Sequence, residues 1–126
     1  MEQLATGILP VLPVTDVSKT LAWYVDTLGF DKLFEHPQSD GTVFTAQVEK
    51  HGSHIMFNLN PADAGSRGGG IYLWIRIQDD LEAFYKKLVA EGLEVVDQLQ
   101  DGFWGDQFFS VRDLNGYILA FNKAKA

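Results

Sequence analysis

Apolar residues change their spacing repeatedly along this chain, and each change marks the border of a predicted element. Residues 8–14 (Ile-Leu-Pro-Val-Leu-Pro-Val) form an apolar run that reads as a strand. Pro10 and Pro13 place it at an edge or a bend, because proline has no N–H to offer a second neighbour. The period then lengthens. Val17, Leu21, Tyr24 and Leu28 recur at spacings of four, three and four, which lines one face of a helix. Asp16 is placed to cap that helix, and Gly29 to stop it as a left-handed residue. Strand-like runs follow at about 30–35, 42–49 and 54–59, with turns at Asp40-Gly41 and His51-Gly52-Ser53. The same order then recurs. A strand over 71–77 leads to a helix over about 80–91, capped by Asp79 and ended by Gly92, with Leu81, Phe84 and Leu88 facing inward. Strands near 94–99, 106–112 and 117–122 complete the series, with Asn115-Gly116 as a hairpin turn.

The recurrence has a constant offset of 63 residues. Asp16 answers Asp79, Gly29 answers Gly92, Val48 answers Val111, and Gly52 answers Asn115. Ile55-Met-Phe57 answers Ile118-Leu-Ala120. Half the chain is too little to bury a core alone, so two copies of a β-α-β-β-β unit must pack together. The copies span about 7–60 and 70–123 and are joined by a Gly-rich linker over 61–70. The expected fold is therefore α+β, a single domain of two tandem βαβββ modules forming a cup-shaped mixed sheet with helices on its outer face. The seam between the modules is where a small ligand is expected to bind.

Composition narrows the chemistry. The chain has 126 residues, no cysteine and a net charge of −7. Without cysteine there is no disulfide, thiolate nucleophile or thiolate metal site. The scattered Lys and Arg form no basic stripe, which argues against nucleic acid as a partner. No apolar stretch is long enough to span a bilayer, and the acidic N-terminus lacks the build of a signal peptide, so neither a membrane nor export is expected. These points lead to an expected cytoplasmic location. The acidity agrees with a cationic ligand, and with solubility alone.

Two phrases sharpen the reading. Leu12-Pro-Val-Thr-Asp-Val-Ser-Lys-Thr-Leu-Ala-Trp-Tyr-Val-Asp-Thr-Leu-Gly-Phe30 and Phe103-Trp-Gly-Asp-Gln-Phe-Phe-Ser-Val-Arg-Asp-Leu-Asn-Gly116 resemble segments of the vicinal oxygen chelate superfamily. That superfamily includes glyoxalase I, extradiol dioxygenases and bleomycin-resistance proteins. Leu114 stands where proline is usual. In metal-dependent members a ligand comes early on the first strand of each module, and a carboxylate on the last. The resemblance maps those positions to Leu9, Tyr72, Phe57 and Ala120. Leu, Phe and Ala carry no donor, and an un-ionised Tyr is a poor ligand for a hard divalent ion. His36, His51 and His54 do not replace them, because an H-x-x-H spacing across a turn does not put both rings on one strand face. No cofactor and no metal site are expected.

Strand alternation assigns the expected faces. If 9, 57, 72 and 120 point into the cup, Leu9, Val11, Ile55, Phe57, Tyr72, Trp74, Arg76, Ile118 and Ala120 share it. Pro10, Leu12, Val14, Met56, Leu73, Ile75, Ile77, Leu119 and Phe121 then face the helices. Tyr72 and Trp74 are candidate stacking walls, Arg76 a polar anchor, and Trp104, in a Gly-flanked loop, a lip. Phe108 and Phe109 point to opposite faces, so only one reaches the cup. Trp23 reads as packing.

The resemblance implies a small-molecule binding protein of the metal-free, bleomycin-resistance-like branch, sequestering an aromatic or cationic ligand as a homodimer. Phe57, Tyr72, Trp74, Arg76, Trp104 and Ala120 are its expected ligand-binding residues. One rival is a glyoxalase-like lyase, isomerase or dioxygenase with an unconventional metal site or none, for which Glu2, Glu35, Glu49 and Asp106 are the carboxylates to inspect. The other is an interaction module whose cup is a dimer interface.

Overall fold

In a computed structural model, which describes residues 7–60 and 72–124, both halves of the chain fold as the expected unit. The first half gives β1 (Val11–Val14), α1 (Val17–Asp26), β2 (Asp31–Pro37), β3 (Val43–Lys50) and β4 (Ser53–Leu59). The second gives β5 (Tyr72–Arg76), α2 (Leu81–Ala90), β6 (Val95–Asp101), β7 (Asp106–Arg112) and β8 (Ile118–Ala124). The predicted linker over 61–70 lies outside the described residues. The fold is α+β, and each module has its own four-stranded sheet, ordered β1-β4-β3-β2 and β5-β8-β7-β6. β1 runs parallel to β4 and β5 to β8, while the other pairs are antiparallel. β1 is an edge strand, which suits Pro13 within it. No described helix is long and apolar enough to cross a membrane.

Each helix covers one face of its own sheet. Val17, Leu21, Tyr24 and Leu28 are buried, as are Leu81 and Leu88, and Phe84 is partly so. Asp16 caps α1 by accepting the Lys19 N–H. The cap of α2 is Asp80 rather than the expected Asp79: Asp80 accepts the Ala83 N–H. Asp79 instead accepts from Lys50 Nζ at 3.1 Å, which holds its carboxyl below the usual carboxylate range. Gly92, at φ 83°, ends α2 in a Schellman arrangement, with Gly92 N–H donating to the Val89 carbonyl and Leu93 N–H to that of Leu88.

The two inner hairpins differ in length, and this corrects the repeat. β3 and β4 join through a two-residue loop, His51-Gly52, with both residues at positive φ. β7 and β8 join through residues 113–117, where Asp113 and Tyr117 still pair and leave three residues, 114–116, between them. Asp113 N–H bonds to the Tyr117 carbonyl and Gly116 N–H to that of Asp113, with only Gly116 at positive φ. The offset is therefore 63 at Gly29/Gly92 and Val48/Val111, but 64 at the helix caps Asp16/Asp80 and again 64 beyond the turn. Gly52 answers Gly116, Met56 answers Ala120, and Phe57 answers Phe121. A one-residue slip reverses every face of a strand. Ile55 and Phe57 consequently lie under α1, with Phe57 fully buried and its ring 4.7 Å from that of Tyr24. Met56 takes the opposite, open face, contrary to expectation.

Polar contacts tie the modules together. The Tyr24 hydroxyl donates to Asp113 Oδ2, Asn115 Nδ2 to Thr20 Oγ1, and the Tyr117 hydroxyl to the Pro13 carbonyl. On the pseudo-equivalent side, Gln78 N–H donates to His51 Nδ1. Burial first, and the neighbouring Asp113 carboxylate second, push the Tyr24 phenol well above its ordinary 10.0. Burial also raises Asp113, against the opposing pull of the Tyr24 hydroxyl and of backbone N–H groups at Asn115 and Tyr117.

Candidate functional site

The second sheet turns its helix-free face outward, and that face is aromatic. Trp74 on β5 and Phe108 on β7 flank β8, where Trp74 pairs with Ala120 and Phe108 with Asn122. Their rings meet with centroids 5.4 Å apart, so they pass over β8. Trp104 joins them from the β6–β7 connection, edge-on to Trp74 at 5.7 Å and 5.5 Å from Phe108. This loop is built for that placement. Gly102 N–H bonds to the Asp106 carbonyl and Gly105 N–H to that of Gly102, with Gly105 at φ 100°. The Trp104 indole folds back onto Gly102 so closely that a Cβ there would lie 2.5 Å from it. Phe103 packs edge-on against Trp104 and is otherwise 99% exposed.

Beneath the rings lies a floor of small and polar residues. Ala120, fully buried, separates Trp74 from Ser110. Ser110 Oγ donates to Asp97 Oδ2 at 2.6 Å and accepts the Asp97 N–H. Arg76 Nη2 reaches Asp106 Oδ2 at 2.8 Å. Tyr72, partly exposed, stands at the end of β5 beside Ile118. Trp74 and Trp104 are 50% and 47% exposed, which leaves ring surface open for stacking.

Five of the six expected site residues thus share one face: Tyr72, Trp74, Arg76, Trp104 and Ala120. Phe57 does not join them, because it belongs to the core under α1. Strand alternation leaves the choice between Phe108 and Phe109 open and gives no signal for Asn122. Phe108 is the member of its pair on the open face, whereas Phe109 is fully buried opposite Phe121. Asn122 sits on the floor, only 4% exposed.

The helix-free face of the first sheet is more polar, with Thr45 bonded to Asn58 at 2.9 Å and Gln47 to His54 at 3.2 Å. A cleft of about 430 Å³ at the module junction is lined by His51, Arg76, Gln78 and Lys123 among others. Its polar groups already serve the fold: Lys123 Nζ donates to the carbonyls of Gln78 and Asp79, and His51 Nδ1 accepts from Gln78. The metal positions implied by the resemblance do not fit a hard cation. With the corrected register they are Leu9, Met56, Tyr72 and Ala120, and no described group of three His, Asp or Glu side chains converges elsewhere.

Residues 7–121 match the family model described as the glyoxalase/bleomycin resistance protein/dioxygenase superfamily. An uncharacterised protein of Mycobacterium bovis is 26% identical over 122 residues, covering 88% of this chain and 78% of its own length. Among solved structures, TioX from Micromonospora sp. ML1 superposes with a TM-score of 0.73 at 26% identity, over 96% of this chain and all of its own. TnmS3 from Streptomyces sp. CB03234, described as an antibiotic-binding protein, gives 0.73 at 26% identity, over 98% of this chain and all of its own.

Proposed function

The chain belongs to the glyoxalase/bleomycin resistance protein/dioxygenase superfamily, and from that premise we propose that it binds a planar, partly apolar small molecule and sequesters it without chemistry. The observation that carries this reading is the ring trio on the helix-free face of the second sheet, half-exposed Trp74 and Trp104 against partly buried Phe108. Flat ligands stack on such rings, and each contact contributes about 0.5–1.5 kcal/mol beyond burial. The antibiotic-binding role of TnmS3 supports the ligand class. The net charge of −7 favours a cationic substituent, with Asp106 beside the rings already held by Arg76.

Trp74→Ala should weaken binding of a planar aromatic ligand more than tenfold, a loss of over about 1.4 kcal/mol. Calorimetric titration of both proteins with ligands found in a melting screen measures it, and an unchanged affinity would remove the face from the binding reading.

The reading includes a homodimer with the ligand cleft at the subunit boundary. Phe103, at the loop tip, is the observation that favours a subunit contact there, since a phenyl ring left 99% exposed in one chain calls for a partner surface. Light scattering at micromolar concentration should give twice the mass of one chain. A monomer mass would leave Phe103 without that explanation.

A further inference from the structure

Four polar or charged residues are buried among those described: Thr20, Ser110, Asp113 and Asn122. Three have partners for their side chains. Thr20 donates to the Asp16 carbonyl and accepts from Asn115. Ser110 is bonded to Asp97. Asp113 accepts from Tyr24, Asn115 and Tyr117. The Asn122 side chain makes no hydrogen bond to any described residue, although only 4% of Asn122 is exposed. Its position is not incidental. Phe121 faces α2, so Asn122 faces the other way, between Arg76 and Phe108 in the sheet register and beneath the Trp74–Phe108 pair. Its register partner Arg76 is already engaged, because it is bonded to Asp106.

A buried amide without partners is a standing cost to the fold, which an apolar residue of similar size avoids. The cost is recovered when a ligand supplies the missing partners. A primary amide presents one acceptor and two donors in a plane. Its complement is a group with a carbonyl and an N–H side by side, as in a lactam or an imide.

We infer that Asn122 selects the ligand, and that the ligand is a planar aromatic molecule carrying a carbonyl and an adjacent N–H on one edge. The rings stack on Trp74 and Phe108 while that edge turns down to the floor. This rests on the reading that the aromatic face binds a small molecule. Stacking supplies most of the affinity, and Asn122 distinguishes flat molecules that stack equally well.

A matched pair of probes tests it: 2-quinolone, and N-methyl-2-quinolone, which keeps the rings and the carbonyl but lacks the donor. Calorimetric titration of the wild-type protein should give 2-quinolone an affinity about tenfold or more higher, because a site that hydrogen-bonds a group discriminates against analogues lacking it. Asn122→Leu should bring 2-quinolone down to the level of its methyl derivative, change binding of the methyl derivative little, and leave the melting temperature unchanged or higher. Equal binding of the two probes by the wild type, or a preference that survives in Asn122→Leu, would overturn the inference while leaving the stacking reading in place. If neither probe binds at millimolar concentration, both fall. The wild-type ratio needs no variant, so a poorly folding Asn122→Leu protein does not blunt the test.

Discussion

Replacing Phe57 with alanine should destabilise the protein by about 3–5 kcal/mol, the range for truncating a fully buried phenylalanine. Phe57 has no exposed surface, and its ring lies 4.7 Å from Tyr24. Across β3 it faces Ala46, which is too small to relax into the space left behind. Collapse around the cavity is restricted further because Tyr24 is fixed at its far end by Asp113. A marginal domain with about 5–15 kcal/mol in hand would lose a large share of it. Urea unfolding should show a lower midpoint at unchanged slope. Trp74→Ala should behave in the opposite way, with a small loss of stability and a large loss of affinity, because half of Trp74 already faces water. A loss below about 1 kcal/mol in Phe57→Ala would contradict the packing under α1.

The contrast between those two residues also shows where sequence reasoning reached and where it stopped. The helix faces were legible, since Val17, Leu21, Tyr24 and Leu28 obey a local period that needs no tertiary knowledge. So were the strands, because turn residues bracket them. The constant offset of 63 holds at Gly29/Gly92 and Val48/Val111 but fails by one residue at the helix caps and again beyond the hairpin turn. Both hairpin loops end in glycine, and their difference of one residue is hidden unless Gly52 is aligned with Gly116. A signal was present: His54, Met56 and Asn58 alternate with Ile55, Phe57 and Leu59, so the uniformly apolar set should have been turned toward the helix. Asp79 misled for the same reason, since two adjacent aspartates follow β5 and only geometry shows that Asp80 carries the cap. Asn122 was not legible. In sequence it looks like the polar end of a strand, and its burial goes with its place on β8 between β5 and β7, which only the sheet order shows.

Tyr24→Phe should destabilise the protein by about 1–3 kcal/mol at neutral pH, the cost of leaving a buried acceptor without its donor. The acceptor is an Asp113 carboxylate that is 6% exposed and links α1 to the β7–β8 turn of the other module. The penalty should depend on pH, with a definite sign. Burial raises the Asp113 pKa in the folded protein, so folding favours the protonated carboxyl. Stability from this group is therefore fully present below the ordinary carboxylate pKa and is lost as pH rises through the folded value. The Tyr24 hydroxyl opposes that loss, because its hydrogen bond favours the charged form. Phenylalanine at this position raises the Asp113 pKa further and deepens the loss, so the gap between mutant and wild type should be widest at neutral pH and shrink in acid. At the alkaline end the order changes. The folded Tyr24 phenol titrates well above 10.0, so the wild type alone loses stability as pH climbs from the unfolded toward the folded phenol value. Urea midpoints measured from acid to alkaline pH should thus show a gap that is small in acid, largest near neutrality and narrowing again in strong base. A gap independent of pH would mean that the hydroxyl stabilises by shape rather than by its bond to a charged Asp113.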